Sequence, residues 1–183
     1  MNQTKLLLFV VLLLITPSIF GQSFSQKFKN TVNNIKKEAE FSKAIKNNKA
    51  ITPEDFKDAS KYTVIMVFNH AVNQDNYEAA KVMLDYLYAN KYDKKFITKY
   101  KTIMMGQVIK KSLHFYKREG NKCYFKYDME NIQKWPTLLI DINTDLQVLY
   151  EAAVNVRSYT PFEKYVAINI NEVIKFLREI KYK

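Results

Sequence analysis

Glycine scarcity bounds this chain more tightly than any other feature. Three glycines occur in 183 residues: Gly21, Gly106 and Gly120. Tight β-turns and phosphate-cradling loops depend on glycine for positive φ and for close backbone approach. A β-sandwich, a dinucleotide-binding α/β domain and a phosphate-binding loop are therefore disfavoured together, whereas helices need no such residue. Hydrophobic residues make up 48% of the chain and aromatics 14%, enough apolar surface for a folded core. The expected fold class is mainly α, a bundle of long antiparallel helices with a small β element around residues 122–142; α+β is the alternative.

Residues 1–21 read as an address rather than structure. Lys5 supplies a one-charge n-region and Leu6 to Ile15 an apolar h-region. Thr16-Pro17-Ser18 breaks that run before the small Gly21. Cleavage after Gly21 would start the mature chain at Gln22; Ile19 stands where a small residue is usual, so cleavage after Ser18 is the other choice. An uncleaved anchor fits less well, because the apolar run is shorter than the roughly 20 residues a spanning helix needs and Pro17 interrupts it. No transmembrane span is expected once the leader is removed. The expected localisation is secreted or periplasmic, with residues 22–183 forming a single mostly helical domain.

Export places the chain in an oxidising compartment, yet a lone cysteine, Cys123, closes no internal disulfide. Packing must supply the stability. Cys123 lies in an aromatic run and reads as a buried inert thiol, with a reactive or intermolecular thiol as the alternative.

Periodicity organises the chain. Phe24, Phe28, Val32, Ile35, Ala39, Phe41 and Ile45 recur at helical spacing and predict a first helix over 24–45. Thr52-Pro53-Glu54-Asp55 then gives an N-cap, a proline in the first turn and acids at the positive end of the helix dipole. It opens a hairpin of two antiparallel helices over Thr52 to Asn90 that turns at Asn73-Gln74-Asp75-Asn76. The run Tyr62 to Phe68 is locally strand-like, but the upstream cap and Ala71-Val72 extend it past strand length. Tyr77, Ala80, Leu84, Leu87 and Tyr88 form the apolar face of the second arm.

In Ala71, the Asp75-Asn76-Tyr77 turn, Ala80, Leu84 and Leu87, the hairpin resembles a single tetratricopeptide-type repeat. The resemblance implies a scaffold for recognising a partner. It covers residues 53–90, lacks the usual glycine at the turn, and has no second copy about 34 residues on, where Tyr77 would fall on Lys111. Stacked repeats bury their faces against neighbours, so the residues support a generic hairpin forming the central layer of one helical domain.

A third helix is expected from Asp93 to about Arg118, with Phe96, Tyr100, Ile103, Met104, Val108 and Phe115 inward and Gly120 as its stop. At 100° per residue, Lys95, Lys99, Lys110 and Lys117 share one stripe with Gly106. That glycine marks a bend, a close backbone approach, or simply a surface position. Beyond Gly120, Cys123 to Tyr127 is strand-like. Thr137 to Ile142 reads as a short strand followed by a helix that Thr144 caps and Gln147 completes as a capping box; one unbroken helix is the alternative. Thr160-Pro161-Phe162-Glu163 repeats the earlier cap grammar, and Asn171 caps a final helix carrying Val173, Ile174, Leu177 and Ile180.

Charge is uneven. Formal net charge is +11, or +10 without Lys5. Residues 91–126 carry eleven basic and two acidic groups, residues 51–90 three against six, and residues 127–163 two against six. A basic face beside an acidic hairpin steers anionic partners. The anion-binding candidates are Lys95, Lys99, Lys110 and Lys117, and their bland alternative is a solvated lysine face. Arginine, the residue suited to bidentate phosphate recognition, occurs only as Arg118, Arg157 and Arg178.

Site chemistry is thin. His70 and His114 lack any zinc-binding neighbourhood, and Asp55 with Asp58, or Glu38 with Glu40, read as helix-surface acids. No catalytic residue, metal or cofactor is assigned. The expected function is an exported, non-enzymatic helical protein that binds a macromolecule, a protein partner or an anionic envelope component rather than nucleic acid. The alternatives are a lysine-rich protein binding anionic polymers or lipid headgroups, and a small hydrolase using Cys123 with His114 or His70 as base.

Overall fold

A computed structural model describes residues 22–47, 49–57, 59–155 and 164–181, with the backbone alone for 22–28 and 181. The proposed leader and the Thr160-Pro161 cap lie outside the described residues. Eight α-helices and a three-stranded sheet make up the described fold, which is mainly α with a small β element.

Helix α1 spans Gln22–Lys46, as its periodicity predicts, but its expected inward face is only partly used. Ile35 is 61% exposed and Ala39 is exposed. Only the C-terminal end reaches the core, where Phe41 stacks on Phe56 at 4.7 Å and Ile45 is buried.

The hairpin forms as helices α2, Lys61–Asn73, and α3, Tyr77–Ala89. The strand-like run Tyr62 to Phe68 is helical, with Val64, Val67 and Phe68 fully buried. Its start differs from expectation. Thr52-Pro53 opens only a 3₁₀ turn, Pro53–Phe56, in which the Asp55 carboxylate accepts from the Thr52 amide and hydroxyl. Ser60 caps α2 by accepting from Thr63 N–H. The turn ends early because Phe56 inserts into the core between Phe41 and Tyr86, whose hydroxyl donates to the Phe56 carbonyl. Tyr88, expected inward, is exposed, and Ala79 and Met83 take its place in the core.

At the hairpin turn Asp75 adopts φ +55°, a left-handed conformation that Asp tolerates without glycine. Lys111 fixes the same corner: its ammonium meets the Asp75 carboxylate at 2.7 Å and donates to the Asn73 carbonyl at 2.9 Å. A cation at the end of α2 also complements its dipole.

Helix α4, Lys94–Lys111, starts at Asp93 as expected but stops at Ser112. Residues 113–119 become strand β1, Leu113–Glu119, hairpinned to β2, Lys122–Tyr127. Gly120, at φ +57°, makes the two-residue hairpin turn rather than a helix stop. Cross-strand pairing outweighs the helical rhythm here. Phe115, expected inward, is exposed for that reason, and Ile103, also expected inward, is 37% exposed within α4 itself, where it lines a cleft beside residues 143–148.

After β2 come α5, Met129–Gln133, and the single turn α6, Pro136–Leu139. No strand forms over Thr137 to Ile142, because Pro136 seeds a helical turn and Leu139 plugs the core. The break at 143–145 does occur. Asp145, not Thr144, caps helix α7, Leu146–Val154, while the Thr144 hydroxyl accepts from Asp141 N–H. Strand β3, Lys164–Ile168, pairs parallel to β2. Helix α8, Ile170–Lys181, starts one residue before the expected cap Asn171. Asn169, at φ +55°, occupies the junction instead, bonding both the amide and the carbonyl of Tyr127. Tyr127 in turn donates its hydroxyl to the Ala153 carbonyl, tying the sheet to α7.

Candidate functional site

The site is a groove along the seam of α4 and α7. Residues 95, 99, 103, 106 and 110 fall on the α4 face beside α7. At Gly106 the two helices pack together: an added Cβ would sit 3.5 Å from the Ala152 Cβ, an ordinary van der Waals distance. Gly106 is buried in this contact, not a surface position.

North of that contact the helices diverge around a cleft of about 600 Å³. Lys94, Lys95 and Lys99 form its basic rim, and Asn143 and Asp145 stand opposite. Its floor is apolar: Ile103 is 37% and Val148 39% exposed. Both residues also line a narrower cleft of about 340 Å³, where Lys110 faces Glu151 and Asn155 across Gly106 and Ala152. Gln107 lines this end, and its Oε1 is buried without a hydrogen-bond partner among the described residues.

Asp141 holds the far wall in place. Its carboxylate accepts from Lys101 Nζ at 3.0 Å, from Thr98 at 3.3 Å and from the Asn143 amide at 3.0 Å. Partial burial alone would raise this carboxyl, but the hydrogen bond and charge of Lys101, aided by Asn143 and Thr98, leave it below its ordinary value. The loop is further closed by the Thr144 amide donating to the Asp141 carbonyl. Ile142 is left projecting into solvent beside the cleft's Asn143.

Three of the four lysines singled out from the sequence therefore share one groove: Lys95 and Lys99 at its wide end, Lys110 at its narrow end. Lys117 does not join them. It lies on β1, with Nζ 2.7 Å from Glu119 Oε1 and 4.9 Å from the centre of the Tyr124 ring, because the helix that would have carried it ends six residues earlier. Lys94, Ile103 and Val148 were not legible as groove residues. Ile103 obeys the core periodicity of α4, and the partner that leaves it open is reached only through the fold.

The sheet separates the thiol from its nearest histidine in sequence. Cys123 is buried, pairs with Arg118 and accepts from the Arg118 guanidinium at 3.4 Å. His114 pairs with Lys126, whose side chain points to the opposite face of β2. His70 lies between α1 and α2, with Nε2 3.9 Å from the Glu38 carboxylate. Neither histidine is placed as a base for Cys123. Among the described residues, no group of three or more His, Cys, Asp or Glu side chains can hold a metal ion. No helix among them is long and apolar enough to cross a membrane.

Comparison with protein-family models, with curated proteins and with solved structures finds no match. The function is read from the geometry alone.

Proposed function

We propose that this chain is an exported, non-enzymatic binding protein that holds a segment of a macromolecular partner in the α4/α7 groove. The observation that carries the reading is the pairing of an exposed apolar floor, Ile103 and Val148, with a rim of three lysines. A cleft with an apolar floor and a few convergent polar groups is the default place for a ligand or partner to bind. The lysine rim favours a partner segment that joins acidic groups to apolar ones.

Co-purification from the native envelope tests this reading. A partner retained by the wild-type chain is expected to be lost from the double variant Ile103→Glu, Val148→Glu at unchanged helix content. A chain that elutes alone at every salt concentration would count against it. The second reading, an anion site built on Lys95, Lys99 and Lys110, draws on the same rim. It requires that binding depend on those lysines and not on the apolar floor.

A further inference from the structure

The outward face of the three-stranded sheet carries a second set of cations, used by neither the groove nor the core. Cross-strand register arranges this face in three rows: Glu119, Lys122 and Lys164; then Lys117, Tyr124 and Val166; then His114, Lys126 and Ile168. Leu113, Tyr127 and Ala167, on the other face, pack with the helical core, and Tyr124, Val166 and Ile168 do not. Four lysines thus stand on this face against the Glu119 carboxylate, with Asp128 and Glu172 at its edge, where they line one cleft with His114 and Lys126. The Glu119 carboxylate is already engaged, accepting from Lys117 at 2.7 Å and from the Tyr124 hydroxyl.

Lys122, Lys126 and Lys164 are exposed, and no ion pair among the described residues engages them. Lys122 sits directly opposite Lys164 across the parallel pair. The two ammonium groups repel; Glu119 on the other side of Lys122 offsets part of that repulsion, and a bound anion offsets more. Neighbouring strands lie about 4.8 Å apart, and four residues along a strand span about 13 Å. The cations therefore cover a patch far wider than one small anion, yet each stands within about one or two Debye lengths of the next at physiological salt.

We propose that this face binds a linear polyanion, an extended polymer with repeated phosphate, sulfate or carboxylate groups, laid across the strands. Lysines serve such a ligand as point charges without demanding bidentate geometry. Lys117 Nζ lies 4.9 Å from the centre of the Tyr124 ring, so the aromatic ring in the middle of this face is already engaged by a cation. Tyr124 and Ile168 are partly buried and Val166 alone of the apolar residues on this face is exposed, at 38%, too little apolar surface to anchor the face in a bilayer.

Binding of the full chain to heparin, used as the probe polyanion, tests the proposal. The triple variant Lys122→Gln, Lys126→Gln, Lys164→Gln is expected to bind at least roughly tenfold more weakly, with a salt slope lower by about one for each contact removed. Lys29→Gln, Lys36→Gln, at exposed positions of α1 away from the sheet and the groove, is expected to bind as the wild type does. Undiminished binding by the triple variant overturns the proposal, as does an equal loss in the α1 variant. Tighter binding to phosphatidylglycerol vesicles than to heparin, lost in the same triple variant, overturns it in favour of a membrane surface. If the triple variant fails to fold, Lys126→Gln alone is expected to lower the elution salt, and an unchanged elution overturns the proposal equally.

Discussion

Lys101 Nζ lies 3.0 Å from Asp141 Oδ2, and the two partners are unequally sheltered, for Lys101 is 6% exposed while Asp141 reaches solvent. That asymmetry decides which partner can be lost. Asp141→Ala strands a buried ammonium and frees the loop that walls the groove, at a cost on the order of 3 kcal/mol. Lys101→Met leaves Asp141 with Thr98, the Asn143 amide and water, and is expected to cost about 1 kcal/mol or less. Urea unfolding of both variants separates the two cases.

The same pair gives an acid dependence. The Asp141 carboxyl is held below its ordinary value of 3.8 in the folded protein. Its contribution is therefore complete above that value and is lost as pH falls through the folded-state one. Thermal melts at pH 5 and pH 2 are expected to show the gap between the wild type and Asp141→Asn narrowing on acidification. A gap that stays constant would deny the carboxylate its role.

Tyr127 gives the opposite slope. Burial pushes its hydroxyl up to about 12, so its contribution is complete below pH 10 and falls as pH rises toward that value, since only the unfolded chain ionises readily. Tyr127→Phe removes the bond to the Ala153 carbonyl and is expected to cost about 1–2 kcal/mol at neutral pH. It is also expected to flatten the alkaline limb of the stability profile, measured by denaturant midpoints between pH 9 and pH 12.

Gly106 tests the helix seam. A Cβ there would meet the Ala152 Cβ at 3.5 Å, an ordinary contact, while helix propensity favours alanine by about 0.5–1 kcal/mol. Gly106→Ala is expected to be neutral or mildly stabilising. Gly106→Leu is expected to force α7 away from α4 and destabilise by about 1–3 kcal/mol. Thermal midpoints that rank the two the other way would contradict the contact between α4 and α7.

The sequence made the helices legible wherever local signals agreed. The α2 and α3 arms, the turn between them, the start of α4 at Asp93 and the break at 143–145 follow from caps and apolar spacing. What escaped depends on partners distant in the chain. Residues 113–119 keep enough helical rhythm to extend α4, but pairing with β2 claims them, and Phe115-Tyr116 ahead of Gly120-Asn121 is the local hairpin signal. For the same reason Lys117 lies on β1 and not in the α4 stripe. Lys95, Lys99 and Lys110 survived as neighbours because α4 alone sets their spacing. The apolar floor they surround did not emerge, since Val148 becomes its other half only through the packing of α7.

The groove is tested most directly by placing a photo-crosslinking residue at Val148 in the full chain, expressed in its own source, with Tyr88 as a control on an exposed surface of α3. A discrete adduct is expected at position 148 and not at position 88, and it is expected to disappear when Lys95→Glu and Lys99→Glu are introduced together. No adduct at position 148, or the same adduct from position 88, would contradict the groove as the binding surface.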